Sequence, residues 1–126
     1  MQIPEELKYT VEHEWVRIEG DVATIGITDY AQDQLGDIVV VELPEAGDSC
    51  EAMGVFGTVE AVKTVADLFS PMSGEIAEVN ADLEGHPEYV NEDPYGKGWM
   101  IKLTLTNPEN AGELLTAQAY KDLIGE

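Results

Sequence analysis

Lys63 lies in the stretch VEAVKTVADLFSP (59–71), and it is the side chain of this sequence best suited to one defined chemistry. It is the only Lys or Arg between Arg17 and Lys97, an interval that holds eighteen Asp and Glu residues. Its neighbours are small or apolar, so a modifying enzyme could approach the amine without a clash. A lysine amine is a natural anchor for an amide-linked cofactor, and acylation removes its charge. The position indicates either a solvated surface lysine or an attachment site.

The other reactive side chains form no familiar catalytic or metal-binding pattern. His13 and His86 are far apart and lie near carboxylates rather than cysteines, so zinc spacing is absent. We interpret His13 as a satisfied core or surface histidine. Cys50 is the single cysteine, which excludes an intramolecular disulfide and favours a small apolar filler in a reducing compartment. With no phosphate loop, nucleophile elbow or calcium loop either, the sequence predicts no catalytic apparatus of its own.

Length and charge restrict the class of protein and its partners. A chain of 126 residues with a formal net charge of −20 predicts one domain over 1–126. That field repels nucleic acid and anionic lipid, and no apolar run is long enough to span a bilayer, so we expect neither as a partner. It favours proteins with basic docking patches, although solubility explains the acidity equally well. We expect a cytoplasmic monomer without a signal or transit peptide, or a mitochondrial-matrix protein if the sequence is a processed eukaryotic form.

Hydrophobic patterning predicts an all-β core with a hairpin tip at Lys63. The runs 54–62 and 64–70 are β-like and have no polar turn cluster between them. The simplest arrangement is a tight hairpin whose apex is Lys63, with its side chain in solvent. Gly57, Val59 and Ala61 would share one face of the first strand, because side chains alternate along a strand.

The remaining elements are short. The run DIVVVELP (37–44) is continuously apolar, which is typical of a strand buried on both faces or nearly so. Residues 80–98 are rich in Gly, Pro, Asn and Asp, which predicts a long loop with one helical turn. The other predicted elements are a hairpin of 14–18 with 22–27, a helix capped by Thr28 and ended by Gly36, a loop at 44–54, strands starting at 74 and covering 99–106, and helices opening at Asn107-Pro108 and Thr116.

Several segments, in this order, resemble the H-protein family of the glycine cleavage system. They are LKYTVEHEWV (7–16), GITDYAQDQLGDIVVVELPEAGD (26–48), VEAVKTVADLFSPMSGEIAEVN (59–80), PEYVNEDPYGKGWMIK (87–102) and the C-terminal helices. The resemblance covers nearly the whole chain. It implies a mainly β barrel-sandwich hybrid of the lipoyl/biotinyl-carrier type, with two small antiparallel sheets and short flanking and C-terminal helices.

The resemblance also implies a carrier rather than an enzyme, with lipoate joined to Lys63 by an amide bond. The pyridoxal-phosphate-dependent decarboxylase (P protein) would load an aminomethyl group from glycine. The aminomethyltransferase (T protein) would pass it to tetrahydrofolate, and dihydrolipoyl dehydrogenase (L protein) would reoxidise the arm. Glu14 and Asp67 match carboxylates of a cleft that receives the loaded arm, while Glu60 and Gly74 match positions recognised by the lipoylating enzyme. Solvated surface is the alternative for Glu14 and Glu60.

Three positions depart from the family pattern, and other readings of the sequence remain open. Ala61 stands where many members have Ser, and Tyr30 and Gln34 stand where some have His, which bears on how the arm docks. One alternative is a lipoyl or biotinyl domain of a larger complex, although those usually have Asp-Lys-Ala or Met-Lys-Met at the tip. Another is an H-like protein that relays lipoate or docks partners without modification, and the third is a stand-alone enzyme.

Overall fold

Two antiparallel sheets make up most of the structure, a computed structural model that describes residues 2–106 and 114–125. The larger sheet has the strand order β1-β2-β3-β9-β8-β5 and the smaller one β4-β6-β7. The strands are β1 Lys8–Tyr9, β2 Glu14–Glu19, β3 Val22–Ile27, β4 Ile38–Glu42, β5 Ser49–Cys50, β6 Val55–Ala61, β7 Val65–Phe69, β8 Gly74–Val79 and β9 Ile101–Leu105. The helices are α1 Asp29–Leu35, α2 Asp82–Gly85, α3 Tyr89–Glu92 and α4 Ala117–Ile124. The predicted mainly β class with short helices is confirmed.

Two apolar clusters join these elements. The larger cluster contains inward-facing residues of both sheets, among them Ile25, Val59 and Leu103, which are fully buried. The smaller cluster joins the N-terminal segment to α4, and in it the rings of Tyr9 and Tyr120 stack with centroids 4.8 Å apart. Full burial of a large apolar side chain stabilises the fold by about 1.5–3 kcal/mol. Helix α4 is therefore part of the folded unit.

The boundaries of α1 and α4 follow from their capping residues, as predicted. Thr28 caps α1 because its Oγ1 accepts a hydrogen bond from Ala31 N at 3.1 Å, and Thr116 caps α4 in the same way. Gly36 ends α1 with φ at 80°, a conformation that glycine adopts without steric cost. The helix predicted from Asn107-Pro108 lies outside the described residues.

The prediction that residues 37–44 form a strand buried on both faces is wrong. Val39 and Val40 in β4 are 47% and 39% exposed. β4 is an edge strand of the smaller sheet, and its pairing with β6 is irregular between Ile38 and Val40. A continuous apolar run indicates a strand, but it does not show how many layers cover that strand.

Two predicted loops contain more regular structure than expected. Residues 80–98 form two short helices, α2 and α3, instead of one turn, and the predicted loop at 44–54 contains β5, which pairs with β8. Asn80 orders the first of these segments because its Nδ2 donates to Lys97 O and Trp99 O, each at 2.8 Å. Hydrogen bonds of this kind, between a side chain and a backbone group distant in sequence, cannot be predicted from the residue composition of a segment.

Asn91 in α3 holds the end of α1 and the residues that follow it in place. Its Nδ2 donates to Gln32 Oε1 at 3.0 Å and to Gly36 O at 2.8 Å, and its Oδ1 accepts from Ile38 N at 2.9 Å. One amide therefore satisfies a backbone donor and a backbone acceptor that flank residue 37.

The tip of the β6–β7 hairpin rests on this fixed chain. Val62 N donates to Asp37 O at 3.1 Å, and a Cβ at Gly36 would lie 3.5 Å from the Cε of Lys63. The backbone at the tip is thus bonded to a segment that Asn91 holds in place, and the aliphatic stem of Lys63 lies beside that segment.

Asn91→Ala should lower the free energy of unfolding by about 2–3 kcal/mol, because Ile38 N–H and Gly36 C=O lose their partner in a half-buried site. Gln32→Ala is the matched control, since it removes only one of the three hydrogen bonds. Urea unfolding measures both, and hydrogen exchange should show faster exchange of the Val62 amide in the Asn91 variant alone. Equal losses of stability in the two variants would show that the bonds from Asn91 to Gly36 and Ile38 do not stabilise this segment.

Candidate functional site

Lys63 is in a two-residue turn between β6 and β7. Ala61 N donates to Thr64 O at 2.7 Å across the turn, and Glu60 pairs with Val65 just below it. Lys63 is exposed, and no residue in the described ranges forms a hydrogen bond or an ion pair with its ammonium. The sequence prediction of an exposed hairpin apex is confirmed.

A cleft of about 490 Å³ runs beside β7, the strand that follows Lys63. β7 is an edge strand of its sheet, and the opposite wall consists of α1 and the chain leading into β2. Within the described part of the chain no Lys or Arg lines this cleft. The polar side chains of its lining are Glu12, His13, Glu14, Tyr30, Gln34 and Asp67. The fold thus brings the two predicted cleft carboxylates, Glu14 and Asp67, to one site that suits a cationic ligand.

Glu14 is the buried carboxyl of this cleft, with only 1% of its surface exposed. Its Oε1 accepts a hydrogen bond from Thr10 Oγ1 at 2.6 Å, and its Oε2 accepts one from Phe69 N at 3.3 Å. Burial raises the pKa of Glu14 to about 8, although these two hydrogen bonds act in the opposite direction. The alternative of a solvated surface residue is therefore wrong for Glu14, whereas Asp67 is exposed at the rim.

His13 is half-buried in the cleft wall and has a φ of 69°, in the left-handed region. Its Nδ1 lies 2.9 Å from Tyr120 Oη, which lies 2.8 Å from Thr28 Oγ1. Tyr120 Oη thus joins His13 Nδ1 to Thr28 Oγ1, which also accepts from Ala31 N. Burial lowers the pKa of His13, which favours the neutral ring. His13 is thus satisfied, as predicted, by a helix that is distant in sequence.

Glu60 and Gly74, the two positions matched to recognition by a lipoylating enzyme, lie on different sheets. Glu60 is exposed on β6, three residues before Lys63. Gly74 is buried at the start of β8, where a Cβ would lie 2.5 Å from Thr104 O. Close backbone approach therefore requires glycine at position 74, whatever else the position does.

The three departures from the family pattern have different surroundings. Tyr30 and Gln34 both line the cleft, and the ring of Tyr30 lies 4.9 Å from that of His13. Ala61 is 6% exposed and belongs to the larger apolar cluster. The two helical departures can affect a ligand in the cleft directly, whereas Ala61 contributes to the core.

Residues that sequence reasoning missed are those that act through their neighbours. Thr10 holds Glu14, Tyr120 holds His13, and Asn91 holds the chain under the hairpin tip. Thr10 is four residues before Glu14, so a hydroxyl close to a candidate carboxylate could have been noted, but the other two pairs have no sequence signal.

Other kinds of site are not found in residues 2–106 and 114–125. No group of three or more His, Cys, Asp or Glu side chains there could hold a metal ion. Cys50 packs against the larger cluster, and burial raises the pKa of its thiol. No helix of these ranges is both long enough and apolar enough to cross a bilayer.

The two-sheet fold and the lysine at a fixed hairpin tip define a carrier domain of the lipoyl/biotinyl type. The profile of the family described as "Glycine cleavage H-protein" matches residues 7–126. The chain is 56% identical to the glycine cleavage system H protein of Staphylococcus carnosus over 126 residues, which is 100% of both chains. It is also 56% identical to that of Bacteroides thetaiotaomicron over 124 residues, 98% of each.

A solved structure agrees with these relatives. The crystal structure of a glycine cleavage system H protein from Mycobacterium marinum matches with a TM-score of 0.91 at 42% identity, covering 98% of this chain and 100% of the other. The chain therefore belongs to the glycine cleavage H-protein family, whose members are lipoate-bearing carrier proteins of a multienzyme system.

Glu14→Gln should remove a pH dependence from the stability of the protein. The folded pKa of Glu14 is raised from 4.5 to about 8, so the folded state binds a proton that the unfolded state has lost between these values. The contribution of Glu14 to the free energy of unfolding is therefore largest below pH 4.5, and it falls as the pH rises to about 8. The variant should gain stability over the parent by up to about 1.4 kcal/mol per pH unit in that interval.

Urea unfolding at several pH values measures this difference. Glu12→Gln is the matched control, because it removes a nearby exposed carboxyl and leaves Glu14 buried, so the pH dependence that comes from Glu14 should persist in it. If the free energies of unfolding of Glu14→Gln and the parent change with pH in parallel, the pKa of Glu14 is not raised on folding. Glu14 would then be ionised in the folded protein.

Proposed function

We propose that Lys63 carries lipoate in amide linkage and that the protein shuttles the aminomethyl group of glycine between enzymes of the glycine cleavage system. The observation that supports this most directly is the exposed lysine, without a partner among the described residues, on a fixed tip beside a cleft that carboxyl groups line and that no described Lys or Arg lines. Membership of the H-protein family supplies the reaction system.

The residues present fit the proposed cofactor. When bound, lipoate supplies a dithiolane that can be reduced, carry a one-carbon cargo and be reoxidised. Lys63 offers its amine for acylation, and the tight turn fixes where the linkage begins. Leu35 and Leu68 provide apolar walls in the cleft, while Glu14 and Asp67 can pair with the ammonium of the cargo.

Partners follow from this role. The decarboxylase (P protein), the aminomethyltransferase (T protein), dihydrolipoyl dehydrogenase (L protein) and a lipoylating enzyme would each approach the hairpin tip. Glu60 is available for recognition by the lipoylating enzyme because it is exposed close to Lys63. Gly74 would contribute through the close packing of β8 on β9. The strongly negative chain supports partners with basic docking patches.

Lys63→Arg should abolish lipoylation and support of glycine decarboxylation while leaving the fold and the charge unchanged. Intact mass after incubation with a lipoate–protein ligase, lipoate and ATP should show one lipoyl group on the parent and none on the variant. Lys97→Arg is the matched control, since it changes another exposed lysine in a loop, and it should be modified as the parent is. No gain of mass on the parent would favour an unmodified docking module instead.

Asp67→Ala should leave lipoylation intact and shorten the lifetime of the aminomethyl cargo on the protein by about five-fold, since an exposed ion pair contributes up to about 1 kcal/mol. Glu42→Ala is the matched control, because Glu42 lies in the same row of the small sheet but on the strand away from the cleft. Release of formaldehyde and ammonia from the loaded protein measures the lifetime. Equal lifetimes in both variants would remove Asp67 from cargo retention.

A further inference from the structure

Glu14 is placed so that it can hold a proton when the cleft is empty. Thr10 Oγ1 accepts from Glu12 N and Glu14 N, each at 3.2 Å, and these two bonds occupy its lone pairs. Its hydrogen is therefore always donated to Glu14 Oε1, at 2.6 Å. Oε2 has only the longer contact from Phe69 N, so Oε2 is the atom at which a proton can reside.

The groups that face Glu14 offer it no positive charge. The chain before β2 contributes Glu12 and the half-buried His13, whose pKa is lowered by burial. From the other elements come the phenols of Tyr30 on α1 and Tyr120 on α4, and the carboxylate of Asp67 on β7. An ionised Glu14 in an empty cleft would be a buried charge supported by two neutral donors alone, which is unfavourable.

We infer that Glu14 is a proton-exchange site: it keeps a proton while the cleft is empty and releases it to solvent when the ammonium of the cargo enters. This rests on the proposed function, because the cation is the aminomethyl cargo of the arm on Lys63. The O–H bond at Oε2 breaks, the proton goes to water, and the carboxylate that remains pairs with the ammonium. Below about pH 8 the ammonium therefore takes the place of a proton at Glu14, so the buried wall of the cleft holds no unpaired charge with or without the cargo.

The exchange makes cargo retention depend on pH in a defined direction. Below about pH 8 the cargo must displace a proton, so retention should strengthen up to tenfold for each unit of rising pH. Above that value Glu14 is already ionised and adds no further pH dependence to retention. When the cargo leaves for a partner enzyme, Glu14 takes up a proton again, which favours departure over leaving a bare carboxylate behind.

The test is a ¹³C NMR titration of the Glu14 carboxyl carbon in glutamate-labelled protein, from about pH 5 to about pH 9. Three samples are compared: the unmodified chain, the lipoylated oxidised protein, and the lipoylated protein loaded from glycine by the decarboxylase. The signal of Glu14 is assigned by its absence in Glu14→Gln. Glu14 should titrate with a midpoint near 8 in the first two samples and remain ionised over the whole range in the third.

Each outcome has a separate meaning. Glu12→Gln is the matched control, and it should change the Glu14 midpoint only slightly because it leaves Glu14 buried. An ordinary midpoint near 4.5 in the cargo-free samples, or equal midpoints with and without cargo, would overturn the exchange while leaving the carrier function intact. Absence of lipoyl mass on Lys63 would overturn the proposed function, and the exchange with it.

Discussion

A two-residue turn at the tip of the β6–β7 hairpin is the constraint on which the rest of the site depends. The hydrogen bond from Ala61 N to Thr64 O closes the turn, and the one from Val62 N to Asp37 O ties it to the chain after α1. A lysine on a free loop would present its amine over many directions and would lose that freedom at each encounter. Here the backbone under Lys63 is already ordered by contacts from both sides.

The same hairpin also creates the cleft, because β7 is left as an edge strand. An exposed edge normally invites pairing with another chain. In this fold Glu14 uses part of that edge by accepting a hydrogen bond from Phe69 N, which links the start of β2 in one sheet to β7 in the other. The cleft lies between these two strands, and it is the space that the proposed lipoyl arm would enter.

Much of the fold was open to prediction, because its signals are local. The caps at Thr28 and Thr116, the alternation in β9 and the apex at Lys63 each follow from a few adjacent residues. The exposure of β4 could not be predicted, since it depends on which strands lie beside it. The state of Glu14 could not be predicted either, because its burial arises where β2, α1 and β7 meet. Family resemblance indicated which residues share the cleft, but not that one is buried and the other exposed.

The negative charge of the surface bears on how partners reach the site at Lys63. The sequence has six Lys and Arg residues against 26 Asp and Glu residues. Three of the six cations lie over aromatic rings: Arg17 over Trp15, Lys97 over Tyr89 and Lys102 over Trp99. No Lys or Arg side chain within the described ranges pairs with a carboxylate, and the one acid–base contact there joins His86 to Glu88, so nearly all the negative charge is left to act on solvent and partners. Acylation of Lys63 would change the formal charge from −20 to −21 by removing one positive charge. Steering by such a field brings basic partners to the molecule without selecting a direction of approach. The selection must then come from short-range contacts at the tip, where two backbone hydrogen bonds fix the turn that carries Lys63.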